Sequence, residues 1–342
     1  GNEDNSPSGG LVYKDVSRDW TQSEEVYPLL AKAQGEGEIH ITTYNQDQVD
    51  VWCEAFTRNF GIKCSGRGIW GSQMVATLVT EREASEAVTD VIHLSMSQAE
   101  QLLNRDFVLG VDWSALGVDP RRVWGTGSGG NAVATTQSQY THFYNRNFID
   151  ESDLPMELKD WLDPKYKGLI CSPDFLFRAG SGFIALFMGM DETVDLARRL
   201  IEDQDMVVTS TCDTVVISGE RPLMFLGYGN PPALLGNESI GQFWNPGLGV
   251  NLFSNMVASD SRNPNAARLF VAWATSKDAS SLSYEAIGQG WAGFGHGPTG
   301  LVSGSFAEID LVYETPLNFS QRGENTRIFQ ERVFGSKSYL TL

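Results

Sequence analysis

The sequence predicts an α/β protein of two domains, each a mostly parallel central sheet flanked by helices. Three observations carry that reading. A chain of 342 residues exceeds one ordinary core and suggests two domains of average size. Short β-rich runs alternate with helical apolar spacing, the pattern of β-α-β units and a parallel sheet. The alternation breaks off in a Gly-rich middle, then resumes.

In order, Val26, Leu29, Leu30 and Ala33 within Glu25–Gln34 suit a short amphipathic helix, stopped by Gly35 and Gly37. Ile39–Tyr44 reads as a strand, Asn45–Gln48 as a polar turn, and Val49–Phe60 as a helix with Val49, Trp52, Cys53 and Phe56 on one face. Ile62–Cys64 starts a second strand. Gly71–Ala87 reads as a helix and Thr89–Leu94 as a strand, with Ser97 capping a further helix through Asn104. Ligands in such sheets sit beyond the carboxyl ends of the strands. That places Thr43–Gln48, Ser65–Ser72 and Ser95–Ser97 on the expected ligand face.

Asp119–Thr136 is rich in Gly and turn residues, and Thr136–Phe143 resembles a strand leaving the first domain. Asp160–Gly168 is a polar connection before Leu169–Ser172. Helix, strand and helix are then expected over Arg178–Met190, Thr193–Asp203 and Met206–Ser210. Asn251–Ala258 reads as an apolar strand and Asn265–Ser276 as an amphipathic helix.

Composition narrows the function. With 41% hydrophobic and 20% charged residues the chain is an ordinary folded one. No apolar run approaches the roughly 18 residues needed to cross a bilayer; the richest, Ser181–Met190, reads as a buried helix. A net charge of −18 repels phosphate backbones, which proteins bind by neutralising them with Lys and Arg. Nucleic acid and anionic membrane are therefore poor partners, and the acidity fits solubility in a salty or extracellular setting.

Four cysteines show no C-x-x-C pair. Their number and spacing suit two disulfides, Cys53–Cys64 and Cys171–Cys212, with four reduced core cysteines as the alternative. Gly1–Gly10 carries no hydrophobic side chain and cannot bury enough surface to fold. Residues 1–20 are therefore expected to form a flexible tether, as in a processed exported protein or lipoprotein.

Ala33–Glu38, Glu81–Ala84 with Thr89–Val91, Tyr144-Asn145, Trp161–Gly168 and Asn263–Phe270 follow one another in a characteristic order and spacing. Together they resemble the type II periplasmic binding proteins, specifically the bacterial ferric-iron-binding group. The resemblance runs from about Leu30 to Gly335. It implies two α/β lobes joined by hinge strands, with 21–137 plus 250–342 forming lobe 1 and 138–249 forming lobe 2. It further implies a monomeric periplasmic or extracellular receptor that captures a small ligand between lobes and closes on it. The receptor would deliver the ligand to an ABC importer permease, with no catalysis and no cofactor.

Ferric-binding relatives use a His, a carboxylate and paired tyrosines. In this sequence those positions align with Gln48, Ser95 and the single Tyr228. Fe³⁺ favours anionic oxygen ligands, so direct metal binding in the family manner is not expected. In their place, Ser72, Ser97, Arg178–Gly182 and Ser210-Thr211 stand at expected helix starts, where free N–H groups suit a carboxylate, phosphonate or sulfonate. The expected ligand-binding residues are Thr43, Asn45, Arg67, Trp70, Ser72, Ser95, Arg178, Ser181, Thr211, Tyr228 and Trp291. Arg67 and Arg178 are the expected clamp for an anion, and Phe175 and Phe177 are further aromatic candidates. A helix-capping or core role is the ordinary alternative for each. A ferric receptor using a synergistic anion and an enzyme on the same fold are the competing readings.

Two motifs are set aside. Gly125–Gly130 satisfies G-x-G-x-x-G but does not stand between a strand and a helix. His40, His93, His142 and His296 show no metal-ligand spacing.

Overall fold

The computed structural model describes residues 27–70, 72–125, 130–228, 234, 236–291, 310–315 and 317–335. The tether expected over 1–20 and most of the Gly125–Gly130 motif lie outside them. The chain is α/β and divides into two compact units. The amino-terminal unit takes the described residues of 27–137 and 252–291; the middle unit takes those of 138–251 and 310–335.

The amino-terminal unit begins with α1 (Tyr27–Glu36), β1 (Glu38–Thr43), α2 (Gln46–Phe60) and β2 (Lys63–Gly68). It continues through α3 (Ser72–Glu83), β3 (Val91–Ser95) and α4 (Met96–Leu103). β1 pairs in parallel with β2 on one side and β3 on the other. Helix α2 starts three residues before the apolar pattern suggests, because the Asn45 side chain accepts a hydrogen bond from the Asp47 N–H, 2.8 Å, and caps it. Gly61, at φ 69°, ends it in the left-handed conformation.

A short β4 (Val123–Gly125) pairs antiparallel with β5 (Asn131–Asn145), the long strand along which the chain passes into the middle unit. There follow β6 (Ile170–Ser172), α5 (Asp174–Met188), α6 (Met190–Glu202), β7 (Val207–Val208), α7 (Cys212–Ser218), β8 (Leu223–Tyr228) and β9 (Ile240–Phe243). β6 is parallel to β7 and β8, whereas β5 is antiparallel to β8 and β9. Thr193–Asp203, expected as a strand, is instead helical. Val194, Ala197 and Leu200 recur at helical spacing and all are buried. Met206–Ser210, expected as a helix, holds strand β7.

The chain returns along β10 (Gly249–Val257), whose later residues lie antiparallel to β3. α8 (Pro264–Trp273) and α9 (Lys277–Ile287) then complete the amino-terminal unit. Its core is aromatic: Trp52, Phe56, Phe270 and Trp273 form ring contacts of 5.1–5.8 Å. Burying each such ring stabilises the unit by roughly 1.5–3 kcal/mol.

The remaining segment corrects the expected lobe boundary. β11 (Val312–Tyr313) and α10 (Phe319–Phe334) were expected with lobe 1, yet they belong to the middle unit. Phe329 and Phe334 of α10 pack against Phe177 of α5 at 5.6 and 6.0 Å. Gly182 permits the approach, since a Cβ there would stand 2.7 Å from the Arg322 carbonyl oxygen. Arg322 also forms a buried ion pair with Glu314, Nη2 to Oε1 2.9 Å. Both disulfides form: Cys53–Cys64 ties α2 to β2, and Cys171–Cys212 ties β6 to α7.

Candidate functional site

In the amino-terminal unit the carboxyl ends of β1, β2 and β3 bring several expected residues to one end of the sheet. Thr43 closes β1 and donates its hydroxyl to the Asn45 carbonyl at 2.7 Å, while Asn45 caps α2. Trp70 follows β2, is 66% exposed, and meets Tyr44 edge-on at 5.9 Å. Tyr44 in turn lies 5.0 Å from Phe253, which pairs with Ser95 across the β3–β10 ladder. Ser95 is the residue before α4, but its hydroxyl donates to the Gln98 Oε1 at 3.1 Å instead of capping the helix. Ser72 begins α3; its side chain lies outside the described residues.

Beneath this surface is a buried polar group. Gln48 donates to the Ser283 hydroxyl at 2.9 Å and faces His93 Nε2 at 3.5 Å. Thr136 Oγ1 stands 3.4 Å from the same ring nitrogen. Burial pushes the His93 pKa down to about 3, against a smaller opposing contribution from the Asn255 side chain.

In the middle unit the corresponding strand ends carry Thr211 and Tyr228. Thr211 is exposed and its hydroxyl lies 3.0 Å from that of Thr209. Tyr228 is half-buried and accepts a hydrogen bond from Asn251 Nδ2 at 3.2 Å. It meets Tyr140 at 5.2 Å with rings at 65°. Desolvation raises the pKa of both phenols, so each keeps its proton at neutral pH. Phe175, in the first turn of α5, is 53% exposed, whereas Phe177 is core.

Four expected site residues stand elsewhere. Arg178 is only 7% exposed; its Nε and Nη2 donate to Asp174 at 3.0 and 2.8 Å, and Phe334 covers its guanidinium at 3.7 Å. Helix α5 opens at Asp174, so Ser181 lies inside it, buried, with its hydroxyl donating to the Phe177 carbonyl. Trp291 is fully buried with Arg122 over its ring at 3.8 Å. Arg67 grips Glu81 with two hydrogen bonds of 2.7 and 2.6 Å. Each arginine expected to clamp an anion has thus met a carboxylate, a pairing strong enough to hold the guanidinium. The sequence reading placed Tyr44 on the ligand face without singling it out, and it missed Phe253, Tyr140 and Asn251 beside the predicted residues. The alternation of buried and ligand-facing positions along β5 and β10 is hidden there, because both strands are buried nearly throughout.

No family model and no curated protein sequence matches the chain. Solved structures do. Iron-bound HitA from Pseudomonas aeruginosa superposes with a TM-score of 0.65 at 20% identity, over 86% of this chain and 99% of that one. The spermidine/putrescine ABC transporter substrate-binding protein PotD from Streptococcus pneumoniae gives 0.63 at 14% identity, over 86% and 99%. The periplasmic binding protein AfuA from Actinobacillus pleuropneumoniae, with fructose-6-phosphate bound, gives 0.62 at 15% identity, over 87% and 99%. The three span a metal ion, a polyamine and a sugar phosphate, so the shared feature is the scaffold. This chain has the fold of the type II periplasmic binding proteins.

Proposed function

We propose that this protein is an exported solute-binding receptor that carries a small organic anion to an ABC importer permease, as a monomer and without chemical change. The observation that carries the reading is coverage: the chain matches 99% of each of the three binding proteins, none of which is described as an enzyme. The two disulfides support an oxidising compartment. A carboxylate, phosphonate or sulfonate is the ligand class favoured by the groups at the strand ends. Thr211 and the protonated phenol of Tyr228 are hydroxyl donors, and Trp70 offers an exposed apolar face. The phosphate ester bound by AfuA supports the same class.

Purification under native conditions, denaturation and mass spectrometry of the released small molecules tests the proposal. An organic anion at near-equal stoichiometry is expected; a polyamine, a neutral sugar or metal alone would overturn the ligand class. Conversion of the released compound by the protein would instead favour an enzyme on this fold. A second reading, iron held through a synergistic anion, rests on the Tyr228 phenol beside Tyr140 and the likeness to HitA. Ferric citrate added to ligand-free protein separates the two. A phenolate–iron charge-transfer band supports the iron reading, and its absence with anion binding intact supports the first.

A further inference from the structure

The ladder between β5 and β8 is irregular at one place. Tyr144 pairs with Leu223 and Phe143 with Met224, but the next pairs are Thr141 with Gly227 and Tyr140 with Tyr228. Two residues of β8, Phe225 and Leu226, therefore oppose His142 alone. Leu226 has φ 60°, a conformation uncommon for any residue but Gly, Asn or Asp. Its N–H donates to His142 Nδ1 at 3.2 Å, and both residues are fully buried. The next residue is glycine, and a Cβ there would stand 2.5 Å from the Phe143 ring, which would have to shift.

The extra residue decides which face Tyr228 occupies. Continued without a bulge, the register of Leu223 and Met224 would set Tyr228 opposite Gln139. Side chains alternate faces along a strand, so the phenol would then point away from Tyr140. With the bulge, Tyr228 stands opposite Tyr140 and within reach of Asn251. We infer that the Phe225–Leu226 bulge, held by the His142 ring, is the positioning device that presents the Tyr228 phenol as a hydrogen-bond donor to a ligand oxygen. His142 and Leu226 are positioning residues that act through Tyr228. The inference rests on the reading of Tyr228 as a ligand contact, while the bulge is tested without ligand.

The test uses full-length, ligand-free protein labelled with ¹³C at tyrosine Cζ, the Tyr228 resonance being assigned by its loss in Tyr228→Phe. Leu226→Gly accepts the left-handed conformation and is expected to keep the wild-type Tyr228 resonance. Leu226→Val and His142→Phe are expected to move it towards a different environment. Leu226→Gly is also expected to melt above Leu226→Ala, the reverse of the order at an ordinary strand position. His142→Gln, which retains an acceptor, should restore the resonance lost in His142→Phe. An unmoved Tyr228 resonance in folded Leu226→Val and His142→Phe overturns the inference, as does Leu226→Ala melting above Leu226→Gly. Either failure leaves the receptor reading intact, because ligand identification tests that reading separately.

Discussion

His93 in the amino-terminal unit and His142 in the middle unit are alike in almost everything except what they hold. Each sits on a strand, is fully buried, and is kept neutral by burial that pushes its pKa down to about 3. His93 meets the side chains of Gln48 and Thr136, a packed polar cluster that could be redrawn with other side chains. His142 accepts from a backbone N–H, that of Leu226, and so holds a main-chain irregularity. The same group in the same state serves packing in one unit and backbone shape in the other. A buried side chain bonded to the main chain constrains geometry more tightly, because the backbone has no rotamer with which to escape.

Acid tests this pairing directly. Both folded-state pKa values lie below the ordinary 6.5, so the unfolded chain takes up protons first as the pH falls. The associated stability is complete above 6.5 and is lost between there and about 3. From pH 7 to 4.5 each histidine accounts for roughly 2–3 kcal/mol of lost stability. Urea unfolding at the two pH values should show a smaller loss in His93→Gln and in His142→Gln than in the wild type. Only His142→Phe, and not His93→Phe, should disturb Tyr228. Equal pH dependence in all of these variants would show that other groups govern acid unfolding.

Ion pairs extend the comparison. Arg322–Glu314 in the middle unit is buried on both sides, whereas Arg67–Glu81 in the amino-terminal unit remains partly open to solvent. Arg322→Ala removes the ion-pair partner of a buried carboxylate and is expected to cost about 3–5 kcal/mol. Arg67→Ala should cost about 1 kcal/mol. Replacing Arg322 and Glu314 together by Met and Gln should recover much of the first loss. Denaturant melts of the four proteins decide it, and a milder effect at Arg322 than at Arg67 would contradict the burial argument.

The disulfides differ between units in the same sense. Cys171 and Cys212 are fully buried, while Cys64 is half-exposed. Graded reduction followed by differential alkylation should therefore open Cys53–Cys64 first. The Cys171–Cys212 bond closes the longer loop, 41 residues against 11, and its loss should cost about 1 kcal/mol more. The smallest expected effect concerns ligand affinity. Arg178→Ala should lower the melting temperature but change affinity for the co-purifying ligand by less than about threefold, since the guanidinium is committed to Asp174 and Phe334. A tenfold loss would return Arg178 to the site.

By itself the sequence determined the β-α-β units and the Asn45 turn before α2, and it favoured the two cysteine pairs that the structure forms. The first two depend on spacing within one or two elements, an apolar period and a capping residue beside the helix it caps, whereas the cysteine pairing rests on their even number and wide spacing. Tertiary structure alone decided where Arg67 and Arg178 spend their charge, because a guanidinium is claimed by whichever carboxylate folding brings within reach. It decided that Ser181 and Trp291 are interior, since an amphipathic pattern tells which face is apolar and not what covers it. It moved α10 to the middle unit through a contact between α5 and a helix more than 130 residues later. Above all it decided the face of Tyr228. A bulge exists only between two strands, and Leu226 carries no local preference for the left-handed turn that its pairing with His142 imposes.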